Sequence, residues 1–382
     1  MIIHSMRVSC IHATVFLLCA AFVLLSCGGR NVPSGSCNDT VAFRYSRLVR
    51  IENFDGYSVA RISNPWRGGE VLHSYILVPS DEPLPEELPE GTVVRTPLRR
   101  AVVFTSVHSG LLASLGRLDA VAGVCDYRYI LLPAVRSRVE SGEIKDMGLS
   151  VQPDVERIVG ARPDALLVSP FEGSGGYGKL ETAGIPLIEC ADYMESSPLA
   201  RAEWMRFLGI LFGCRHEADS LFSVVEKNYL SLSRAAAGTR SRLRVMCDLM
   251  QGAAWYVPGG RSTIGRAIAD AGGDYVFSGD TVAGSVGKTF EAVYNEALDA
   301  DVWIIRRGEA GNLTYASLKK EREAYSRFRP WKERCIYACN TLEVPFFDES
   351  PFRPDYLLND FVRICHPEMS IGTDFHYFHP LE

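Results

Sequence analysis

The sequence predicts an α/β protein with two Rossmann-like lobes, each built on a mostly parallel sheet, joined by a long backbone helix and preceded by a small β-rich appendage. From residue 99 onward, short apolar runs that suit buried strands alternate with amphipathic helical segments, a pattern typical of parallel sheets. The alternation occurs twice, before and after a long helical segment. With 382 residues, of which 47% are hydrophobic, the chain is long enough for two lobes.

The first 27 residues are expected to form a lipoprotein signal peptide. A cationic start with Arg7 precedes an apolar run, residues 11–25, that is as long as a signal-peptide core and short for a membrane span. The run ends in LLSC, which is similar to the bacterial lipobox, so Cys27 is expected to carry a lipid and become the mature N-terminus. A buried core helix is the alternative, but the abrupt change to a polar sequence argues against it. Residues 28–40 are then expected to be a tether.

Residues 41–98 are expected to form the β-rich appendage of the first lobe. The stretch RLVRIENFDGYSVARI contains two strand-like runs around Asp55-Gly56, a favoured hairpin turn, and VLHSYILV follows as a third strand. The acidic, proline-rich stretch DEPLPEELPEG is typical of a solvated loop that leads into the next domain.

The first binding lobe is expected over residues 99–198, the backbone helix over 199–238 and the second lobe over 239–382. In the helical region, apolar residues recur at spacings of three and four, and the part from Arg215 to Ala236 would be about 33 Å long at 1.5 Å per residue. The predicted strands of the two lobes are AVVFTS, AVAGVCD, ALLVSP and PLIECA, then LRVMCDL, VWII and CIYAC.

An internal duplication supports the two lobes. In DVERIVGARPDALLV and TFEAVYNEALDADVWII, a glutamate begins a helix eight residues before an aspartate, just ahead of a strand. Glu156 with Asp164 and Glu291 with Asp299 are therefore expected at matching places. A glutamate in a first helical turn also simply stabilises the helix, so a structural role is the alternative.

Four stretches, in this order, resemble one family: RAVVFTSVHSGLLASLGRLDAVAGVCD, QPDVERIVGARPDALLVS, PGGRSTIGRAIADAGGDYVF and RPDYLLNDFVRICHPE. The family is that of the substrate-binding lipoproteins of ABC importers for iron-siderophore complexes, haem and cobalamin. The resemblance covers roughly residues 99–368 and leaves the appendage outside the family core.

This resemblance implies a binding protein rather than an enzyme. It would capture an iron complex, a ferric siderophore or haem, in a cleft between the lobes and deliver it to an ABC permease and its ATPase; cobalamin is the alternative ligand. It implies that Glu156 and Glu291 engage arginines of the permease. We expect a periplasmic, lipid-anchored monomer with no cofactor of its own.

The candidate ligand-binding residues lie in loops at the predicted strand ends, where α/β proteins usually bind ligands. Aromatic faces can cover a porphyrin, corrin or catecholate, and arginines pair with carboxylates or anionic chelates. Each aromatic residue taken singly would equally suit a core position. The candidates are His108, Tyr127, Arg128, Tyr129, Phe171 and Tyr177 in the first lobe, and Trp255, Arg261, Arg306 and Phe347 in the second.

The histidines admit other interpretations. A protein for bare Zn²⁺ or Mn²⁺ would need several converging ligands, with His108 the best placed, whereas His376 and His379 lie near the C-terminus. As a haem ligand, His108 would supply an axial imidazole, and Tyr127, Tyr129 or Tyr177 a phenolate.

Other classes of protein are less consistent with the sequence. A serine hydrolase lacks its GxSxG motif, and Ser106 and Ser109 are too close to His108 in the chain to indicate a designed triad. A net charge of −6 gives no support to nucleic-acid binding. A structural or adhesive lipoprotein would explain the appendage but not two matched lobes. Cys335 and Cys339 could pair or bind metal, but without a second CxxC pair buried thiols are the better interpretation.

Overall fold

The computed structural model describes residues 39–172, 176–239, 242–311, 313–369 and 374–382. The predicted signal peptide with Cys27, and residues 28–38 of the predicted tether, lie outside the described residues. A strand begins at Asp39, so the last two residues of the predicted tether belong to the first sheet.

Strands and helices alternate along most of the chain. The strands are β1 (Asp39–Val41), β2 (Val49–Phe54), β3 (Tyr57–Ser63), β4 (Val71–Pro79), β5 (Thr92–Thr96), β6 (Ala101–Val103), β7 (Val121–Val124), β8 (Lys145–Asp146), β9 (Gly148–Leu149), β10 (Gln152–Pro153), β11 (Ala165–Val168), β12 (Leu187–Glu189), β13 (Arg244–Cys247), β14 (Met250–Gln251), β15 (Ala254–Pro258), β16 (Asp274–Tyr275), β17 (Ser285–Lys288), β18 (Val302–Arg307), β19 (Ile336–Asn340) and β20 (His379–Pro380). The helices are α1 (Ser106–Ser114), α2 (Pro133–Glu140), α3 (Val155–Ala161), α4 (Pro198–Glu203), α5 (Met205–Leu211), α6 (Arg215–Ala237), α7 (Thr263–Asp270), α8 (Phe290–Ala297), α9 (Tyr315–Glu321), α10 (Arg329–Lys332), α11 (Phe346–Glu349) and α12 (Pro354–Cys365).

The appendage is a five-stranded sheet in the order β1-β2-β3-β4-β5. Its strands pair antiparallel, except β4 and β5, which are parallel. The predicted turn at Asp55-Gly56 joins β2 to β3, and a φ of 78° at Gly56 favours glycine there. Residues 85–90, in the loop between β4 and β5, contain no helix or strand.

Buried polar contacts fix the appendage to the first lobe. The carboxylate of Glu203, which is fully buried, accepts hydrogen bonds of 2.8 Å from the backbone N–H groups of residues 44–46. The hydroxyl of Tyr75 accepts from the Glu189 N–H at 2.8 Å and donates to the Leu187 carbonyl at 3.0 Å, which satisfies the free edge of β12. The appendage therefore forms part of the packed structure of this lobe.

Each lobe contains a largely parallel sheet. The first has the order β12-β11-β6-β7-β8 and is parallel throughout. The second has the order β16-β13-β18-β19-β20, in which only β20 is antiparallel. Every residue of β6 and β11 is buried, as expected for strands covered on both faces. This architecture confirms the predicted fold class.

The duplication is present in the backbone, but one detail of its prediction is wrong. In the first lobe, Asp164 donates its N–H to the Arg100 carbonyl at 2.9 Å and accepts the Arg100 N–H on its carboxylate at 3.0 Å. Asp301 makes the same two contacts with Arg244, at 2.8 and 2.7 Å. The counterpart of Asp164 is therefore Asp301 and not Asp299, because the second lobe has two more residues between its glutamate and its strand.

The long backbone helix is present as α6, which has 23 residues. The predicted helical segment is not continuous, however, because α4 and α5 precede α6 as separate short helices. Gly213 adopts a φ of 65° between α5 and α6, and a side chain there would meet Pro97. From α6, Tyr229 donates to Asp270 on α7 at 2.8 Å, which ties the helix to the second lobe. None of the helices in the described ranges has the length and apolar character needed to span a bilayer.

Candidate ligand-binding site

Two adjoining cavities, together called the cleft here, lie at the carboxyl ends of the parallel strands. One, of about 210 Å³, is lined by residues of both lobes. The other, of about 330 Å³, is lined by the first lobe. Val107, Tyr193 and Arg201 line both cavities, so the two form one groove. This is the place where ligands bind in α/β folds of this kind.

On the side of the second lobe, the cleft presents Arg306 from the end of β18. Asp248 accepts the Nε–H of Arg306 on Oδ1 at 3.1 Å, receives the Nη2 group on its other oxygen, and also accepts the Arg306 backbone N–H at 3.2 Å. Burial opposes the charge of Arg306, but Asp248 raises the pKa of the guanidinium above its usual value. Arg306 is therefore a fixed cation at the wall of the cleft.

The cleft also presents Arg201 from α4, a helix in the connection between the lobes, where Asp192 of the first lobe holds the arginine. The Nε–H of Arg201 donates to Oδ2 of Asp192 at 2.9 Å, and Oδ1 of Asp192 lies 2.9 Å from Nε2 of His108. Burial favours the protonated acid, but Arg201 and His108 hold the pKa of Asp192 below its usual value. The cleft therefore presents two braced arginines.

Apolar and polar groups complete the walls. Phe171 borders the first-lobe cavity and Phe347 the inter-lobe cavity, and their exposed fractions are 59% and 51%. Residues 262–264, at the beginning of α7, line the inter-lobe cavity. The preceding Gly260 has no room for a side chain, because a Cβ would lie 2.3 Å from the Ser278 carbonyl oxygen. The cleft thus combines two cations with aromatic faces.

Of the predicted binding residues, His108, Phe171, Arg306 and Phe347 border the cleft. His108, however, is only 1% exposed, and its Nδ1 lies 2.8 Å from the Thr105 hydroxyl. Because both ring nitrogens have partners, the prediction of His108 as a metal or haem ligand is not supported by this geometry.

The aromatic residues Tyr177 and Trp255 are engaged elsewhere. Trp255 is fully buried in the second lobe, where its indole N–H donates to the Cys247 carbonyl at 3.0 Å, so its placement in the cleft is wrong. Tyr177 donates to Glu189 at 3.0 Å, and burial together with Glu189 raises the pKa of its hydroxyl. A phenolate ligand at Tyr177 is therefore unfavourable.

The remaining predicted residues are not among those that line the cleft. Tyr127 donates to Glu140 on α2 at 3.0 Å, and the Arg128 guanidinium lies 4.5 Å from the centre of the Tyr129 ring. Arg261 is exposed and directly precedes the cleft-lining residues 262–264.

Sequence reasoning missed the residues that brace the arginines. Asp192 follows the end of β12, so the rule that ligands bind at strand ends could have found it. Arg201 was hidden in the helical region assigned to the backbone helix. Asp248, just after β13, adopts a φ of 59°, which no sequence pattern indicates.

The metal interpretations lack a site in the described part of the chain. Within these ranges no three histidine, cysteine or acidic side chains converge in a way that could hold an ion. Cys335 and Cys339 are both free thiols, and Cys339 is buried.

The two predicted docking glutamates occupy equivalent positions. Glu156 and Glu291 are each the second residue of a helix, α3 and α8, and both are exposed. The residues before these helices cap them alike, with Asp154 accepting from the Arg157 N–H at 2.9 Å and Thr289 from the Ala292 N–H at 3.2 Å.

The chain belongs to the periplasmic binding protein family, whose family model matches residues 101–341. Members of this family bind small ligands and work with ABC permeases. This finding confirms the resemblance to the binding proteins for siderophores, haem and cobalamin.

Individual proteins agree with this assignment. An uncharacterized lipoprotein of Methanocaldococcus jannaschii is 25% identical over 373 residues, which cover 91% of this chain and 87% of the relative. The fold is similar to that of a periplasmic haem binding protein of Pseudomonas aeruginosa, with a TM-score of 0.59, 16% identity and coverage of 74% of this chain and 98% of the other. It is also similar to a periplasmic vitamin B12 binding protein of Vibrio cholerae, with a TM-score of 0.55, 12% identity and coverage of 72% and 99%.

Proposed function

We propose that this protein is the substrate-binding lipoprotein of an ABC importer and that its cleft captures an anionic iron chelate, a ferric siderophore or haem. The observation that carries the proposal is that two arginines line the same cavity: Arg201, which Asp192 of the first lobe holds, and Arg306 of the second lobe. Charge-assisted hydrogen bonds from guanidinium groups suit the propionates of haem or the oxygens of a ferric chelate. The exposed rings of Phe171 and Phe347 offer apolar faces to the rest of the ligand.

Cobalamin is the weaker candidate for chemical reasons. The side chains of its corrin ring end mostly in uncharged amides, which form weaker hydrogen bonds with a guanidinium group than a carboxylate or a catecholate oxygen does. A neutral corrin would therefore be a poor match for this cleft.

The position of the protein in the cell follows from its N-terminal sequence. The LLSC motif at Cys27 is similar to a lipobox, and the chain is similar to proteins named as lipoproteins. Lipidation at Cys27 would anchor the protein to the membrane with its binding lobes in the periplasm. The protein would act as a monomer that binds its permease transiently.

Titration of the full-length chain, purified in detergent, tests the ligand class. The probes are haemin, a ferric tris-catecholate and cyanocobalamin, and binding is followed by visible absorbance and calorimetry. We expect saturable binding of one of the two anionic probes at one per chain and no binding of cyanocobalamin. Preferential binding of cyanocobalamin, or of none of the three, would contradict the proposal.

Glu156 and Glu291 are the proposed docking residues for the permease. Their matched, exposed positions at the starts of α3 and α8 suit ion pairs with cationic side chains of a partner. The double variant Glu156→Ala, Glu291→Ala should bind ligand like the wild type but fail to support uptake. Exposed Glu296, later on α8, provides a matched control, since Glu296→Ala should leave uptake unchanged. Normal uptake by the double variant would remove the docking assignment while leaving the ligand class untouched.

A further inference from the structure

We propose that His108 and Asp192 are positioning residues, which hold Arg201 so that its terminal nitrogens bind an oxyanion of the ligand. This inference rests on the proposed function of the cleft and assigns its buried polar residues a role in that function. It replaces the idea that His108 touches the ligand itself.

Four side chains form a continuous hydrogen-bonded chain that ends at the cleft. The Thr105 hydroxyl lies 2.8 Å from Nδ1 of His108, Nε2 of His108 lies 2.9 Å from Oδ1 of Asp192, and Nε of Arg201 donates to Oδ2 at 2.9 Å. The side chains of His108 and Asp192 are 1% and 2% exposed, whereas that of Arg201 is 18% exposed and lines both cavities. The chain of contacts therefore runs from the buried interior to a cation at the surface of the cleft.

The direction of the hydrogen bonds follows from the charge of Asp192. An ionised carboxylate can only accept, so His108 must carry its proton on Nε2, and Thr105 can then donate to Nδ1 of a neutral ring. Arg201 and His108 keep the pKa of Asp192 below its usual value, which maintains the ionised form. Each carboxylate oxygen thus has its own donor, and the orientation of the carboxylate is fixed from two sides.

The geometry leaves the binding end of Arg201 free. Asp192 accepts a hydrogen bond only from Nε, and within the described ranges neither Nη of Arg201 donates a hydrogen bond. Arg306 differs, because Asp248 engages both its Nε and its Nη2. Arg201 is therefore the better donor of two parallel hydrogen bonds to a carboxylate or catecholate oxygen.

Stability alone is a poor explanation for this arrangement. Burying charged groups is costly, and apolar side chains of similar volume often give an equally stable protein. Among the described residues, Arg201 is the cation paired with Asp192, and His108 supplies the second hydrogen bond to its carboxylate. A role in presenting Arg201 accounts for a buried carboxylate at this point of the cleft.

A double-mutant cycle on the full-length chain tests the inference, with haemin and a ferric tris-catecholate as probes. We expect Arg201→Met to weaken binding of the anionic probe by roughly tenfold or more, since it removes hydrogen bonds between charged groups. Asp192→Asn should weaken binding about fivefold in the wild-type chain but less than twofold in the Arg201→Met chain, because its effect passes through Arg201. Tyr229→Phe removes a buried hydrogen bond on α6, outside the residues that line the cleft, and serves as the structural control.

If Asp192→Asn does not fold, variants of His108 test the same inference. In His108→Gln the side-chain amide can still donate to Asp192, so this variant should bind nearly as well as the wild type, whereas His108→Leu should behave like Asp192→Asn. The positioning role would be overturned if Asp192→Asn lowered the affinity equally in both backgrounds. It would also be overturned if His108→Gln and His108→Leu lowered the affinity equally. If neither anionic probe binds the wild type, the proposed function fails and this inference with it; if a probe binds and the cycle is additive, only the inference fails.

Discussion

The two lobes share a backbone plan but present their arginines to the cleft in different ways. In the second lobe, Arg306 is the fifth residue of β18, and Asp248 at the end of the neighbouring strand binds it directly. The register of β11 and β18 against their partners places Ser169 where the second lobe has Arg306. The first lobe therefore lacks an arginine at that position and uses Arg201, which comes from α4 and is held by Asp192 and His108.

The two lobes share the contacts at the starts of their strands but not the side chains at the ends of their strands. The pairs Asp164 with Arg100 and Asp301 with Arg244 show that the contacts at the starts of the strands are the same in both lobes. The side chains at the carboxyl ends of the strands are not the same. The backbone contacts at the strand starts are thus common to the lobes, whereas the two arginines of the cleft are placed and held differently.

The largest expected effect concerns the stability of the second lobe. Asp248→Ala should lower the free energy of unfolding by about 3 kcal/mol, because Arg306 would lose its partner in a buried site and alanine tolerates the left-handed backbone poorly. Asp248→Asn should lower the free energy of unfolding less, because asparagine tolerates the left-handed backbone and keeps an acceptor for Arg306. Urea unfolding of both variants measures these changes. If Asp248→Ala unfolded at the same urea concentration as the wild type, the contact between Asp248 and Arg306 would contribute little to stability.

A third aspartate near the cleft provides a contrast with Asp192 and Asp248, since no cation pairs with it in the described structure. Asp348 on α11 accepts from the Leu131 N–H at 3.3 Å on one oxygen, while the other is buried without a partner. Burial raises the pKa of Asp348 to about 6. The folded state then holds this proton more tightly than the unfolded state, so the contribution of Asp348 to stability is lost as the pH rises from about 4 to about 6.

Asp348→Asn should remove this dependence. The free energy of unfolding of the wild type relative to Asp348→Asn should fall by about 2 kcal/mol between pH 4 and pH 7. Chemical unfolding of both proteins across that range measures the difference. A difference that is constant with pH would mean that Asp348 titrates normally.

The smallest expected effects distinguish Tyr177, a predicted residue that lies away from the cleft, from Phe347, which borders it. Tyr177→Phe removes only the hydrogen bond to Glu189, so it should change the affinity for an anionic probe less than twofold. Phe347→Ala should weaken binding several-fold, because it removes an exposed apolar face of the inter-lobe cavity. Calorimetric titration of both variants separates the two cases, and a larger loss for Tyr177→Phe would return Tyr177 to the binding site.

The sequence predicted the fold far better than the site. Alternating apolar runs and helical periodicity depend on local spacing, so the parallel sheets and α6 followed directly from them. The break between α5 and α6, in contrast, depends on the left-handed backbone conformation of one residue, Gly213. Among the site residues, Arg306 was found because it lies near the carboxyl end of a strand at the correct edge of the sheet, whereas Trp255 has similar sequence features and faces the core.

The brace around Arg201 could not have been found in this way. Asp192 lies 84 residues from His108 and nine from Arg201 along the chain, and only the folded arrangement of α1, α4 and the turn after β12 brings the three together. Spacing along a sequence carries no information about such a contact. His108 illustrates the same limit, because its place beside the cleft was predicted correctly, whereas its burial and its position in the first turn of α1 were not.

The most direct test of the account is a titration of the full-length chain with haemin and a ferric tris-catecholate, in wild type, Arg201→Met, Arg306→Met and the double variant. Each single change should lower the affinity for the anionic probe that the wild type binds by about tenfold, and the double variant should lower it by about a hundredfold or more. Binding by the double variant at wild-type affinity would contradict the claim that the two arginines hold the ligand between the lobes.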